Sequence, residues 1–179
     1  MIQQPIKILL VEDNEADALL IERQIKKIVA NPSVVRVDEF DEFIITLERF
    51  SPDIILCDFS LNGFNGFEVL KFINNSSYYI PLVFITGAIN DEELAANSIL
   101  SGASGYILKK NINKLHEKLL PHFKRIEDLK KDIPINSERA LKIEQLQNYL
   151  EKLKRENTVN MHSYNEIKRA LDRLINLLD

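Results

Sequence analysis

The chain has 179 residues, of which 45% are hydrophobic and 28% are charged, a composition typical of one globular domain with an extension. Its formal net charge of −4 argues against nucleic acid as the main partner, because phosphate binding favours a basic surface. The single cysteine, Cys57, cannot form an internal disulfide and is interpreted as a buried structural thiol. We see neither a signal-peptide pattern nor an apolar segment of the roughly 18–20 residues that span a membrane. We therefore expect a cytoplasmic protein without a membrane partner.

Five apolar segments alternate with five amphipathic segments between residues 6 and 131. The predicted strands are 6–11, 34–37, 54–57, 81–85 and 105–108. The predicted helices follow them at about 15–28, 39–50, 66–74, 90–102 and 112–131. We expect Ala16, Leu19, Leu20, Gln24, Ile25 and Ile28 on the inner face of the first helix. The fourth helix is expected to run through Ala95, Ala96, Ile99 and Leu100 to Gly102. Pro121 predicts a kink or a late start in the fifth.

This alternation predicts an α/β fold, a (βα)5 doubly wound parallel sheet with helices on both faces. We expect the strand order 2-1-3-4-5. The carboxyl ends of strands one, three, four and five then meet at one edge of the sheet. The residues at those ends are Glu12 and Asp13, Asp58, Thr86 and Lys109.

These residues together predict phosphoryl chemistry. Three carboxylates repel one another unless a cation lies among them, and Mg²⁺ prefers such oxygen ligands. Lys109 suits the binding of an anionic group, and Thr86 offers a hydroxyl donor. The set predicts transfer of a phosphoryl group to Asp58, with the metal neutralising charge and the other two side chains binding outer oxygens. Each residue alone could be an ordinary cap or surface charge, but their joint position favours the site.

Four segments of the chain resemble the receiver domain of two-component response regulators. They are residues 10–14 (LVEDN), 58–66 (DFSLNGFNG), 84–88 (FITGA) and 102–109 (GASGYILK), within about residues 5–130. The resemblance agrees with the predicted fold, which is flavodoxin-like. It implies that Asp58 accepts a phosphoryl group from a sensor histidine kinase or a phosphotransfer protein. It therefore implies a signalling domain rather than an enzyme, apart from self-catalysed phosphoryl uptake and slow hydrolysis.

The resemblance also implies roles for individual residues. Mg²⁺ would be bound by Asp13, Asp58 and the Ser60 backbone carbonyl, with Glu12 acting largely through water. Thr86 would turn towards the phosphoryl group and Tyr106 would swing inward with it. The surface of the fourth helix, fifth strand and fifth helix would change as a population shift between two states.

The chain departs from the family pattern at three places that leave these residues intact. Asn62 replaces a usual Pro, and Phe64-Asn65 replaces a common Met-Asp pair. Lys110 replaces the Pro that usually follows the site lysine, so a cis peptide bond is much less expected there.

The chain is divided here into a receiver-like domain (1–131), a linker (132–136) and a helical extension (137–179). From Ile143 onwards, apolar residues recur every three or four positions, an a/d register that predicts a coiled coil and a homodimer through residues 143–178. Asn157 and Asn160 interrupt this register and could instead mark the bend of a helical hairpin. His162 is interpreted as an exposed helical residue rather than a phospho-accepting one. No helix-turn-helix pattern is present, so we expect no direct DNA binding.

Three alternatives remain open. A phosphatase of the haloacid-dehalogenase type needs a second Asp two residues after the nucleophile, where this chain has Ser60. A receiver-like scaffold that binds partners without phosphorylation predicts loss of site residues, which are all present. The chain could also be the N-terminal part of a longer hybrid or sensor kinase.

Overall fold

The computed structural model of the chain describes residues 1–76, 78–87, 92–131, 146, 150, 153 and 161–176. The chain divides into two compact units, Met1–Glu127 and Asp128–Asp179. The predicted domain boundary at residue 131 stays a prediction, and the predicted linker 132–136 lies outside the described residues.

Strands and helices alternate along the first unit. The strands are β1 (Ile6–Val11), β2 (Pro32–Val37), β3 (Ile54–Cys57), β4 (Leu82–Thr86) and β5 (Gly105–Leu108). The helices are α1 (Glu15–Ile25), α2 (Phe40–Phe50), α3 (Gly66–Asn75), α4 (Glu92–Leu100) and α5 (Leu115–Lys131), and a 3-10 helix (Lys109–Lys114) joins β5 to α5. The strands pair in parallel in the order 2-1-3-4-5. The predicted (βα)5 flavodoxin-like fold is therefore confirmed.

The central strand β1 gives each face of the sheet its own core, because successive side chains point to opposite faces. Ile8 and Leu10 pack in a cluster that includes residues of α1 and α5. Leu9 and Val11 pack in a second cluster that includes residues of α2 and α3. Since both faces are covered, the polar side chains that follow the strands are left at the edge of the sheet.

The predicted inner face of α1 is partly wrong. The helix buries residues at one helical spacing, namely Ala18, Ile21, Gln24 and Ile25. Ala16, Leu19 and Leu20, which the prediction placed inside, are exposed. Ile28 lies beyond the end of α1, where its carbonyl accepts a hydrogen bond from Ile2 N–H at 2.7 Å. The prediction treated α1 and the turn after it, up to Ile28, as one continuous helix. The apolar spacing over that longer segment indicated the wrong face.

In α4, Ser98 is buried whereas Ile99 and Leu100 are exposed. The Ser98 hydroxyl donates to the Leu94 carbonyl at 2.7 Å, which satisfies its hydrogen-bonding capacity within the helix.

Pro121 lies inside α5, which begins at Leu115. The peptide bond between Lys109 and Lys110 is trans, as the missing Pro predicted.

The second unit contains α6 (Met161–Asn176) and helical positions at Leu146, Leu150 and Leu153. Leu150, Tyr164 and Leu171 form one buried cluster. On a single straight helix Leu150 and Tyr164 would lie about 21 Å apart, at 1.5 Å per residue. The cluster therefore favours the hairpin interpretation over one continuous helix. Asn157 and Asn160 lie outside the described residues.

Candidate functional site

The turn after β1 carries the first two carboxylates of the site, Glu12 and Asp13. Glu12 N–H donates to the Val37 carbonyl at 3.1 Å, which extends the pairing of β1 with β2 by one residue. Asn14 then caps α1, because its side chain accepts a hydrogen bond from Asp17 N–H at 3.1 Å. Asn14 N–H donates to Glu12 Oε1 at 3.2 Å. The Glu12 side chain, which is fully buried, is thus fixed by the turn that it begins.

Asp58 follows β3 and lies beside this acidic turn. Its N–H donates to the Val11 carbonyl at 2.9 Å, which extends the pairing of β1 with β3. Ser60 N–H donates to Asp58 Oδ1 at 3.2 Å, and Asn62 N–H donates to Asp13 Oδ2 at 3.2 Å. The loop between β3 and α3 therefore supplies backbone N–H donors to both aspartates. The other carboxylate oxygen of Asp58, Oδ2, faces the centre of the site.

This loop closes at Gly66, the first residue of α3, through a hydrogen bond of 2.9 Å from its N–H to the Phe59 carbonyl. A Cβ at Gly66 would lie 2.5 Å from Phe84 Cε1 and 3.0 Å from the Asp58 carbonyl oxygen. The glycine is therefore required by the close approach of α3 to the loop that holds Asp58.

Lys109, which follows β5, lies at the centre of the carboxylates. Its Nζ is 2.6 Å from Asp58 Oδ2, 2.7 Å from Glu12 Oε2 and 2.8 Å from Asp17 Oδ2. An ammonium has three N–H donors, so each donor has a carboxylate partner. The Lys109 side chain is only 11% exposed, which limits the screening of these pairs by water.

Burial and charge shift the pKa values of three groups here. Burial raises the pKa of Glu12 above its ordinary value of 4.5, and the hydrogen bond from Lys109 offsets only part of this effect. Burial lowers the pKa of Lys109, but its bonds to Asp17, Asp58 and Glu12 outweigh burial and raise the pKa. Burial, with Asp58 and Glu12 nearby, raises the pKa of the Cys57 thiol well above its ordinary range. Lys109 is therefore charged at neutral pH and Cys57 is not a nucleophile.

The carboxylates of Glu12, Asp13 and Asp58 are close enough to share one cation. Each offers one oxygen, and these oxygens lie within 4.8 Å of one another. An all-oxygen donor set suits a hard divalent cation such as Mg²⁺ rather than a soft metal. The residues present therefore fit the cation that the sequence predicts.

Thr86 and Tyr106 lie on the neighbouring strands β4 and β5. Phe84 on β4 is opposite Tyr106 on β5, and Thr86 follows two residues later on the same side of its strand. Thr86 is fully buried, while Tyr106 is half-buried against the core cluster of α2 and α3.

A family model, that of the response regulator receiver domain, matches residues 8–120. The chain belongs to this family. The receiver domain is 30% identical over 111 residues to the nitrate/nitrite response regulator NarL of Escherichia coli, a match that covers 60% of this chain and 49% of NarL. The chain thus spans about half the length of the curated relatives that head the comparison.

Solved response regulators share the architecture of this receiver domain. The phosphorylated cyanobacterial phytochrome response regulator RcpA is 30% identical, with a TM-score of 0.57 over 66% of this chain and 91% of RcpA. The Mn²⁺-bound form of the response regulator Rcp1 is 26% identical, with a TM-score of 0.56 over 65% of this chain and 91% of Rcp1. Receiver domains act in two-component signal transduction, and the acidic cluster of this one fits their metal site.

The receiver domain brings Glu12, Asp13, Asp58 and Lys109 together, as the sequence analysis expected. Ser60 lies in the loop after Asp58 with an exposed side chain, and its predicted role as a metal ligand stays a prediction. Ala88, the last residue of the matching segment 84–88, and Asn90, the first residue of the predicted fourth helix, lie outside the described residues.

Two residues of the site were not expected. Asp17, in the first turn of α1, bonds Lys109, and Arg36, near the end of β2, bonds the acidic turn. A weak signal for Asp17 was present in the sequence, because it lies one helical turn after Asp13.

Among the described residues, every helix is too short or too polar to cross a membrane.

Proposed function

We propose that Asp58 accepts a phosphoryl group from a sensor histidine kinase or a phosphotransfer protein, and that this modification switches the contacts of the receiver domain with a partner. The observation that carries the proposal is the position of the Lys109 ammonium, 2.6 Å from Asp58 Oδ2 and 2.7 Å from Glu12 Oε2. A fixed cation thereby lies beside the proposed acceptor oxygen, where it can bind the anionic outer oxygens of the incoming phosphoryl group.

In the proposed step, a carboxylate oxygen of Asp58 attacks the phosphorus atom of the donor. An O–P bond forms while the P–N bond of the donor phosphohistidine breaks, and the leaving imidazole nitrogen keeps the electron pair and takes up a proton. Lys109 and the Thr86 hydroxyl bind outer oxygens of the transferred group. Asp13, Asp58 and the Ser60 carbonyl are the proposed ligands of Mg²⁺, with Glu12 acting through water. When bound, Mg²⁺ would neutralise charge on the phosphoryl oxygens.

We further propose that Thr86 and Tyr106 relay the modification. Both side chains lie on the same face of two paired strands, and Thr86 is the nearer to the edge that carries Asp58. A turn of the Thr86 hydroxyl towards the phosphoryl group would vacate space on that face, into which the half-buried Tyr106 ring can move. The surface formed by α4, β5 and α5 would change with it.

Intact-mass measurement tests phosphoryl uptake directly. The chain is incubated with Mg²⁺ and either acetyl phosphate or phosphoramidate, a small donor with a P–N bond. We expect the mass of one added phosphoryl group, which is absent with chelator and absent from Asp58→Asn. Asp41→Asn, an exposed aspartate on α2, is the matched control and should be modified as the wild type is. A folded wild type that takes up no phosphoryl group from either donor would refute the proposal and favour a phosphorylation-independent scaffold.

A homodimer through residues 143–178 is a separate proposal. Leu150, Tyr164 and Leu171 pack within one chain, whereas Leu146 and Ile167 remain 51% and 46% exposed. A second copy of residues 143–178 would cover these two apolar side chains. Light scattering at micromolar concentration should give twice the chain mass, and Ile167→Asp should reduce it to the mass of one chain. A monomeric wild type would refute this arrangement.

A further inference from the structure

Arg36 reaches from β2 to the backbone of the acidic turn. Its Nε donates to the Glu12 carbonyl at 2.8 Å, and its Nη2 donates to the Asp13 carbonyl at 3.1 Å. Nη2 also bonds Asp38 Oδ2 at 3.0 Å. The planar guanidinium thus fixes two successive carbonyl groups relative to each other, which the single ammonium of a lysine cannot do.

One of these carbonyls connects Arg36 to the side chain of Glu12. The Asp13 carbonyl and the Asn14 N–H belong to one planar trans peptide group, so they point in opposite directions. Arg36 holds the carbonyl end, and the N–H end donates to Glu12 Oε1 at 3.2 Å. The other carboxylate oxygen, Glu12 Oε2, accepts from Lys109 Nζ at 2.7 Å. A continuous series of bonds therefore leads from the guanidinium through one peptide group to the centre of the site.

We propose that Arg36 is a positioning residue of this site: by fixing the peptide group between Asp13 and Asn14, it sets the orientation of the Glu12 carboxylate and so the affinity for a divalent cation. The inference rests on the proposed function. Its bonds to the acidic turn are to backbone oxygens, so it competes for no carboxylate oxygen there. Its positive charge alone would repel a cation. Positioning and simple electrostatics therefore predict opposite effects when Arg36 is replaced.

The test is the dissociation constant for Mg²⁺, measured on the full chain by isothermal titration calorimetry. Arg36→Lys keeps the charge and loses the planar fork, and it should weaken binding by about tenfold, as loss of a bond that orients a ligand does. Arg49→Lys, at an exposed position of α2, is the matched control and should bind as the wild type does. Arg36→Gln should also bind more weakly, whereas a purely electrostatic role predicts tighter binding.

A double-mutant cycle with Glu12→Gln separates positioning from a general loss of stability. If Arg36 acts through the Glu12 carboxylate, Arg36→Lys should change Mg²⁺ affinity by less than about twofold in the Glu12→Gln background. Additive effects of the two substitutions would overturn the inference. It would also be overturned if Arg36→Lys lowered the metal-free melting temperature and left Mg²⁺ affinity equal to that of Arg49→Lys. A wild type that binds no Mg²⁺ would instead refute the proposed function.

Discussion

Replacement of Lys109 by Met tests the charge balance of the site. The Glu12 carboxylate, whose side chain is 0% exposed, would lose the cation that lies 2.7 Å away. Removal of one partner of a buried ion pair costs about 3–5 kcal/mol. We take the lower value, because the Asp17 side chain is 33% exposed and water replaces part of that interaction. The free energy of unfolding should therefore fall by about 3 kcal/mol at pH 7 without Mg²⁺.

Urea denaturation in the presence of chelator, followed by far-UV circular dichroism, measures this loss. With a slope of about 2 kcal/mol per molar urea, the midpoint should fall by about 1.5 M. Lys110→Met, at the exposed neighbouring position, is the matched control and should change stability by less than about 0.5 kcal/mol.

Acid should remove the part of the difference between Lys109→Met and the wild type that comes from Glu12. Because the pKa of folded Glu12 is raised, its protonated form favours the folded state, and this contribution is lost as the pH rises through the raised pKa. At a pH below 4.5, the ordinary pKa of Glu12, protonation removes the Glu12 charge that Lys109 neutralises. A Lys109→Met variant as stable as Lys110→Met at pH 7 would refute this reasoning.

Three further predictions follow from the packing. Gly66→Ala should cost about 1–3 kcal/mol, because its Cβ would lie 2.5 Å from Phe84; unchanged urea stability would contradict that contact. Burial, and then Arg125, lower the pKa of His122 from 6.5, so its neutral form favours the fold and stability is lost as the pH falls below that value. His122→Gln should therefore lose stability less steeply than the wild type between about pH 6.5 and 5, and equal slopes would contradict the shift. Leu171→Asp should reduce the helical dichroism while phosphoryl uptake at Asp58 continues, and a full helical signal would argue against the buried cluster of the second unit.

The position of the site could be predicted from the sequence because its residues directly follow strands. Asp58 and Lys109 are 51 residues apart in the chain, but each comes after an apolar segment of strand length. Parallel pairing brings such positions to one edge whatever the helices between them do. The predicted position of the site was therefore independent of errors elsewhere, such as the partly wrong inner face of α1.

The contacts of Asp17 and Arg36 could not be predicted in the same way. Asp17 lies within a helix and Arg36 within a strand, where charged side chains are usually solvated. Their roles depend on how far a side chain reaches in space: Asp17 meets Lys109, which is 92 residues away, and Arg36 meets the turn of the neighbouring strand. Leu19 and Leu20 were wrong in the opposite direction, because both were predicted to be buried and both are exposed. Their apolar side chains alone did not indicate which face of the helix packs on the sheet.

The charges around Lys109 give a reason why a divalent cation would have to precede the phosphoryl group. Four carboxylates, those of Glu12, Asp13, Asp17 and Asp58, lie at the site with one ammonium, so the formal charge is −3. An incoming phosphoryl donor is itself anionic and would be repelled until a divalent cation lowered this charge. Lys109 would also have to free one of its three N–H donors. Formation of the proposed aspartyl phosphate removes the carboxylate charge of Asp58, so the bond from Lys109 to Asp58 Oδ2 is the one that weakens. The released N–H would then lie beside the new phosphoryl oxygens, while the bonds to Glu12 and Asp17 would still hold the ammonium in place.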